Sequence, residues 1–262
     1  MHAPVEIKTA SRTAAKHATQ PTATGVVTTW AGTTRITATP AGVREVWLPS
    51  WTPTTTPLAV DTPEVVIEQS DGDAPEYYLR QALRELAEYI AGERHIFSVA
   101  LDLSGPDFFR RVWDEVARVP YGETRSYAEI ARTVGAPTAT RAVGAANGAN
   151  PVAPFVPCHR IVGSDGRLTG YGPGLPLKQR LLVMEGALPA SSDDYDAWIA
   201  RVRAHAPNRP IYLGIRRTST YCLPTCPRIS RQRLLPNRIF HSPAEATHAG
   251  FRPCAACKPA TA

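Results

Sequence analysis

Between Gly25 and Leu48 the apolar residues fall in short alternating runs, VVTTWAG, TRITATP and GVREVWL, separated by Gly and Pro. That pattern predicts β-strands half-buried on one face, and VVIEQ at 65–69 predicts another. The period then changes. In PEYYLRQALRELAEYIAG, Leu79, Ala82, Leu83, Leu86 and Ile90 share one helical face, with Gly92 placed to stop the helix. FSVALDL at 97–103 alternates again and predicts a strand. Strands followed by a helix predict a small α+β domain ending near Ser104.

From there the pattern is helical. Asp107 is placed to cap FFRRVWDEVARV, where Phe108, Val112, Val116 and Val119 form an apolar stripe. YAEIARTVG predicts a short helix stopped by Gly135, and TATRAVGAANGAN a second one made of small residues. Two short helices joined by a Gly-containing turn predict a helix-turn-helix. LPLKQRLLVMEGA predicts a later helix ended by Gly186. Residues 189–210, with acidic Asp193, Asp194 and Asp196, are expected to be a linker carrying a short helix around Trp198. In SPAE, Ser242 predicts an N-cap, Pro243 a first helical position and Glu245 a capping box, with Gly250 ending the helix. Residues 1–25, rich in Ala, Thr, Pro and Lys without periodicity, are expected to be a disordered tail.

The chain has 262 residues, of which 43% are hydrophobic and 20% charged. The length predicts two or three folded units, and the composition excludes a collagen, a coiled coil or a mainly disordered protein. No apolar run reaches membrane-spanning length, and no apolar signal core begins the chain, so cytoplasmic residence without a membrane partner is expected. Charge is unevenly spread. Residues 201–262 hold 11 Arg and Lys against Glu245 alone, whereas the overall net charge is +6. A basic unit following a near-neutral chain is the footprint of a phosphate-backbone binder, or of a solubilising tail.

Four of the five cysteines cluster: Cys222, Cys226, Cys254 and Cys257. Their spacing fits either a closed four-thiolate zinc site or two disulfides, and a unit of about 50 residues gains from a metal the folding energy its small core lacks. His241 and His248 are expected on the helix surface rather than as ligands. Cys158 stands alone beside His159. It reads either as a small buried hydrophobe or as a nucleophile activated by a neighbouring base.

The strings VPYGETRSYAEIA, RAVGAANGANP, PCHRIVGSDGRLTGYGPGL and LKQRLLVMEGA keep order and spacing over about 80 residues. Together they resemble the O6-alkylguanine-DNA alkyltransferase family. The resemblance implies a suicide methyltransferase acting in direct-reversal DNA repair on double-stranded DNA, with Cys158 as alkyl acceptor. It implies His159 as base through a water, Glu185 orienting it, and Asn150 holding the loop before the cysteine. It implies Tyr127 as proton donor towards guanine, Arg141 entering the duplex, and Tyr171 with Gly172 lidding the base pocket. Gly172 stands where some relatives have a hydroxyl residue, so that contact comes from backbone or is absent.

The strings YLGIRRTSTYCLPTCP, LLPNRIFHSPAEATHAGF and FRPCAACKP resemble the metal-binding domain of Ada proteins. That resemblance implies one Zn²⁺ on Cys222, Cys226, Cys254 and Cys257, with no organic cofactor, and a methyl transfer from DNA phosphotriesters to Cys222. The chain departs from the pattern. Leu223, Ala255 and Ala256 stand where basic residues are common, and Ser219 and Thr220 replace a Gly-apolar pair, while Arg216, Arg217, Arg228, Arg231 and Arg233 offer other phosphate contacts. The metal unit also comes last rather than first, with no segment for a separate AraC-type DNA reader.

The expected fold class is α+β. A ribonuclease-H-like domain at 26–104 precedes a helical domain with a helix-turn-helix at 105–188; the linker at 189–210 leads to a zinc-bound α+β domain at 211–262. Guanine repair with the zinc domain as a DNA anchor or transcriptional damage sensor is the alternative, and a non-catalytic damage binder is a third. A monomer suffices for the chemistry.

Overall fold

The computed structural model describes residues 20–50, 63–164, 166–189, 195–205, 208–215, 218–232 and 238–261. The tail expected at 1–25 lies mostly outside the described residues, as do Asp193, Asp194, Arg216, Arg217 and Arg233 and the side chains of Asp196 and Arg231. Among the described residues no helix is long and apolar enough to cross a membrane. The chain is mixed α+β and divides into two compact units.

The first unit holds the described residues up to Arg118 together with Ala145–Cys158 and Tyr171–Leu177. Strands β1 (Ala23–Thr29), β2 (Gly32–Thr39), β3 (Gly42–Trp47) and β4 (Glu64–Ser70) form an antiparallel sheet in the order β3-β2-β1-β4. Alternate residues of β1 are buried, which is the side-chain period of a strand with one covered face. Helix α1 (Asp73–Ile90) covers that face with Leu79, Ala82, Leu83, Leu86 and Ile90. The fit is close. A Cβ on Gly25 would stand 2.6 Å from the Val66 carbonyl oxygen and 3.1 Å from Leu83.

The strand expected at 97–103 does not form; one bridge, Val43↔Leu101, is all that remains of it. Glu85 is the physical reason. Its fully buried carboxylate accepts from the Ser98 and Val99 amides at 2.8 and 3.2 Å, so those amides are taken from any ladder. Helix α2 (Asp107–Ala117) buries Val112, Trp113 and Val116. Asp107 is not its cap, as expected, but its first residue, paired with Arg110; the N-cap is Pro106.

The second unit holds Val119–Gly144, His159–Gly170 and the described residues from Lys178 onward. Two-residue strands β5 (Arg125–Ser126) and β6 (Ile161–Val162) pair in parallel. Helix α3 (Tyr127–Thr133) starts with a full capping box, in which Ser126 and Glu129 satisfy each other's backbone amides. The chain turns at Gly135, whose φ is +76°, and enters α4 (Thr140–Gly148), which ends in the first unit. Helix α5 (Leu175–Met184) stops before Gly186, which has the positive φ of a C-terminal glycine.

The stretch expected as a linker with a short helix around Trp198 contains an 11-residue helix, α6 (Tyr195–His205). Its Trp198, Ile199 and Val202 join Leu213, Ile215, Ile229, Ile239 and the cysteines in one core. Trp198 is fully buried and its Nε1–H donates to the Gly186 carbonyl at 2.7 Å. Strands β7 (Tyr212–Ile215), β8 (Thr220–Cys222), β9 (Arg238–Phe240) and β10 (Arg252–Pro253) form a sheet in the order β10-β8-β7-β9, accompanied by α7 (Pro227–Gln232) and α8 (Pro243–His248). Ser242 caps α8 as expected, but Glu245 reaches back to the amide of His241 rather than to that of Ser242.

Candidate active site and metal centre

Cys158 opens a 3-10 turn that continues through His159 and Arg160. In the first unit, the segment before it is pinned by two asparagines. Asn150 donates through Nδ2 to the Val156 carbonyl at 2.7 Å and accepts at Oδ1 from the Val152 amide at 3.1 Å. Asn147, 4% exposed, donates to the carbonyl of Cys158 itself at 3.3 Å. Cys158 retains 5% of its surface. Tyr171 and Gly172 lie in a turn closed by the Gly174 amide on the Tyr171 carbonyl, and a Cβ at Gly172 would meet nothing within 4 Å.

In the second unit, the residues that follow the cysteine meet the end of α5. Glu185 and His159 have fully buried side chains, and His159 Nε2 lies 2.9 Å from Glu185 Oε1. Arg160 forks onto the same carboxylate, with Nη2 at 2.8 Å from Oε1 and Nε at 2.9 Å from Oε2, while its Nη1 donates to the Val119 carbonyl. Burial alone would push the Glu185 carboxyl up. Arg160 and then His159 more than reverse that, holding it far below the ordinary carboxylate range. An anionic Glu185 accepts from Nε2–H, which leaves the basic lone pair of His159 on Nδ1. Burial is also the chief reason the His159 pKa is lowered; Glu185 opposes this, and the Arg160 and Lys178 charges add to it. The arrangement is a neutral imidazole with a fixed tautomer, backed by an anion whose charge is already matched.

Three further side chains of the second unit are held on backbone carbonyls. The Tyr121 hydroxyl donates to the Met184 carbonyl at 3.3 Å, and burial followed by the Glu185 charge pushes its pKa up to about 12. Lys178 is fully buried and its Nζ donates to the carbonyls of Ile161 and Thr169 at 2.6 and 2.7 Å. Tyr127, the first residue of α3, donates to that same Thr169 carbonyl at 3.4 Å. Arg141 is exposed on α4, and so are Ala142, Ala145 and Gly148, with Ala149 exposed just beyond its end. Added Cβ atoms at Gly144 and Gly148 would meet nothing within 4 Å, so the protein itself does not require glycine there.

The four clustered cysteines converge. Their sulfurs all lie within 4.8 Å of one another, with Cys226 and Cys254 at 4.0 Å. Tetrahedral zinc with bonds of about 2.3 Å needs sulfurs roughly 3.8 Å apart, so the set closes on an ion with small shifts. The donor chemistry agrees. Burial and the neighbouring thiols push the Cys222 thiol well above its ordinary range, which a cation among them reverses. Burial also works against the Cys254 thiolate, but the backbone N–H groups of Cys257 and Ala256 outweigh it and bring that thiol down to about 6. Cys222, Cys226 and Cys254 are 1–2% exposed, and Cys257 more so. The donor set suits one zinc ion. His241 is not a helix-surface residue, as expected, but nearly buried, its Nδ1 2.8 Å from the Pro210 carbonyl and its Nε2 3.4 Å from Glu123; His248 is exposed in the last turn of α8.

Sequence reasoning missed Asn147, Arg160, Lys178 and the pair Arg238–Glu129. A polar residue such as Asn147 in the interior of a small-residue helix was a readable signal. Arg160 stands in the PCHR string, directly after His159.

The model of the family described as "6-O-methylguanine DNA methyltransferase, DNA binding domain" matches residues 107–187. That of the "Metal binding domain of Ada" matches 195–260. A methylated-DNA–protein-cysteine methyltransferase of Mycolicibacterium paratuberculosis is 58% identical over 104 residues, 40% of this chain and 63% of the relative. One from Methanosarcina acetivorans is 50% identical over 112 residues, 43% of this chain and 72% of the relative. The constitutive enzyme of Bacillus subtilis is 46% identical over 127 residues, 48% and 76% respectively. The chain therefore spans a little under two thirds of the first of these and more of the others. The crystal structure of Mycobacterium tuberculosis OGT in complex with DNA superposes with a TM-score of 0.50 at 39% identity, covering 63% of this chain and 94% of that one.

Proposed function

The chain belongs to the methylated-DNA–protein-cysteine methyltransferase family, and from that premise we propose that it removes the alkyl group of O6-alkylguanine in double-stranded DNA by moving it irreversibly to Cys158. The observation that carries this reading is the buried His159–Glu185 pair, in which His159 directly follows the cysteine in one 3-10 turn.

The residues divide the work as follows. His159 takes the Cys158 proton at Nδ1 through a water, and Glu185 steadies the imidazolium that results. The thiolate attacks the alkyl carbon; the S–C bond forms as the C–O6 bond breaks, and the electron pair goes to the purine. Tyr127 supplies the proton that keeps the leaving guanine neutral. Asn150 and Asn147 fix the backbone on which the sulfur sits. The thioether formed is a poor leaving group, so each molecule acts once. Guanine O6 is unreachable inside a stacked duplex, so the base is flipped, with Arg141 filling the gap and Tyr171 and Gly172 lidding the pocket. The exposed small residues of α4 let the helix approach DNA closely. In this reading α3 and α4 form a helix-turn-helix, the N-terminal sheet and α1 are ribonuclease-H-like, and the protein works in the cytoplasm as a monomer.

The metal unit has two readings. Zinc, when bound, holds its four sulfurs as thiolates without protons. In the first reading Cys222 is a second acceptor, its sulfur taking a methyl carbon from a DNA phosphotriester as the C–O bond breaks and leaves a phosphodiester anion. In the second the unit only anchors DNA; the 2% exposure of Cys222 and the apolar Leu223 beside it favour this one.

Single-turnover transfer from DNA carrying labelled O6-methylguanine tests the main reading. Cys158→Ala should take up no label while binding the same DNA with unchanged affinity. Retained uptake would remove Cys158 from its role.

A further inference from the structure

The metal unit grips the alkyltransferase segment 123–129 at three points. Glu123 meets His241 at 3.4 Å and also pairs with Arg209; Arg125 meets Glu245 at 3.2 Å; Glu129 meets Arg238. The third contact is the most telling. Arg238 has a fully buried side chain on β9, and its Nη2 lies 2.6 and 2.5 Å from the two oxygens of Glu129. Its guanidinium also stacks over the Phe240 ring at 4.8 Å. The same Glu129 carboxylate accepts from the amide and hydroxyl of Ser126, both at 2.7 Å, closing the capping box at the start of α3. Burial works against that charge, and Arg238 is the largest of the influences that hold it ionised.

Two reactive neighbourhoods hang on this cap. Tyr127 is the first residue of the helix that Ser126 and Glu129 cap, and its hydroxyl reaches the Thr169 carbonyl that Lys178 also holds. Ser126 pairs with Val162, and Arg125 with Ile161, on the strand that directly follows the Cys158–Arg160 turn. A buried guanidinium and carboxylate make an orienting contact because neither can swing into water without breaking charge-assisted bonds.

We propose that Arg238 is a positioning residue for guanine repair: the metal unit, through Arg238 and Glu129, sets the start of α3 and so the place of the Tyr127 hydroxyl. The inference rests on the role proposed for Tyr127. It makes the metal unit part of the guanine-transfer apparatus rather than only a neighbour.

The test is a double-mutant cycle on the full-length zinc-loaded chain, read as the single-turnover rate of methyl transfer from O6-methylguanine duplex DNA. Arg238→Gln should slow transfer by roughly tenfold, a fraction of what a positioned proton donor contributes. Tyr127→Phe should slow it at least as much, and the double variant should be no slower than Tyr127→Phe alone. Arg238→Lys, which keeps the charge, should recover part of the rate and guards against a glutamine variant that fails to fold. Effects that multiply, or an Arg238→Lys protein that is folded and no faster than Arg238→Gln, would overturn the inference. So would an unaltered rate in folded Arg238→Gln while Tyr127→Phe is slow. An unaltered rate in Tyr127→Phe would instead bring down the role of Tyr127 itself.

Discussion

His159 Nε2 and Glu185 Oε1 lie 2.9 Å apart with both side chains fully buried, and Arg160 shares the carboxylate. Nothing in that trio is exposed enough to be screened by solvent, so each member depends on the others for its charge state. Glu185→Gln leaves the Arg160 guanidinium buried without an anion. We expect a loss of about 3–5 kcal/mol in unfolding free energy, read from urea titration. A loss below about 1 kcal/mol would mean that Arg160 finds another partner.

The pH dependence of transfer follows from the same pair. His159 has its folded pKa lowered below the ordinary value near 6.5, chiefly by burial. The base therefore stays neutral and available below that pH, and the acid limb of the rate profile should have its midpoint under 6.5. Removing the Glu185 charge in Glu185→Gln takes away the influence that raises the pKa, so the limb should move lower still while the plateau rate drops. A limb that moves upward would contradict the proposed roles.

Stability should follow pH with the sign set by lowered pKa values. A group that binds its proton more weakly when folded contributes fully above its unfolded pKa and loses that contribution as pH falls. For His159 the loss begins below about 6.5 and for Glu185 below about 4.5. Glu123 is brought down to about 2: burial opposes the charge, but His241, Arg125 and Arg209 outweigh it, so its share is lost between about 4.5 and 2. Urea midpoints should be level above pH 7 and fall in these steps. In His159→Gln the decline between pH 6.5 and 5 should be shallower.

The exposed face of α4 can be tested for DNA contact without disturbing the fold. No protein atom would meet a Cβ at Gly148, and leucine is a better helix former, so Gly148→Leu should leave stability unchanged or raise it by up to about 0.8 kcal/mol. Its affinity for duplex DNA should fall by roughly tenfold or more if that face carries the phosphate and groove contacts. Equal affinity would move the DNA interface elsewhere.

Ser219 occupies the left-handed region at φ +47°, which favours glycine. Its carbonyl takes the Arg252 amide at 2.9 Å, so the turn is held there. Ser219→Gly should raise the urea midpoint by the equivalent of about 0.5–1 kcal/mol. A fall would mean that the serine side chain makes a compensating contact.

Periodicity carried much of the fold because it reports which residues are covered. Alternation in β1 and the 3.6-residue stripe of α1 were both legible. FSVALDL has the pattern of a strand, yet Glu85 takes its first amides, a competition between side chain and ladder that no local pattern encodes. Around Trp198 a short helix is legible but not its full length, because only Trp198, Ile199 and Val202 mark its buried side. For the site, residue types narrowed Cys158 to two readings, and the family resemblance joined it to Glu185, 26 positions beyond His159. Arg238 and Glu129 are 109 positions apart, and only folding reveals that they meet.

In the proposed reaction the Cys158 sulfur ends up carrying the lesion's carbon. Incubation with DNA containing O6-methylguanine and methylphosphotriesters, then digestion and mass mapping of every cysteine peptide, tests it directly. The account predicts one added methyl on the Cys158 peptide in stoichiometric yield, whichever way Cys222 reads. A protein that binds this DNA and leaves Cys158 unmodified would contradict it.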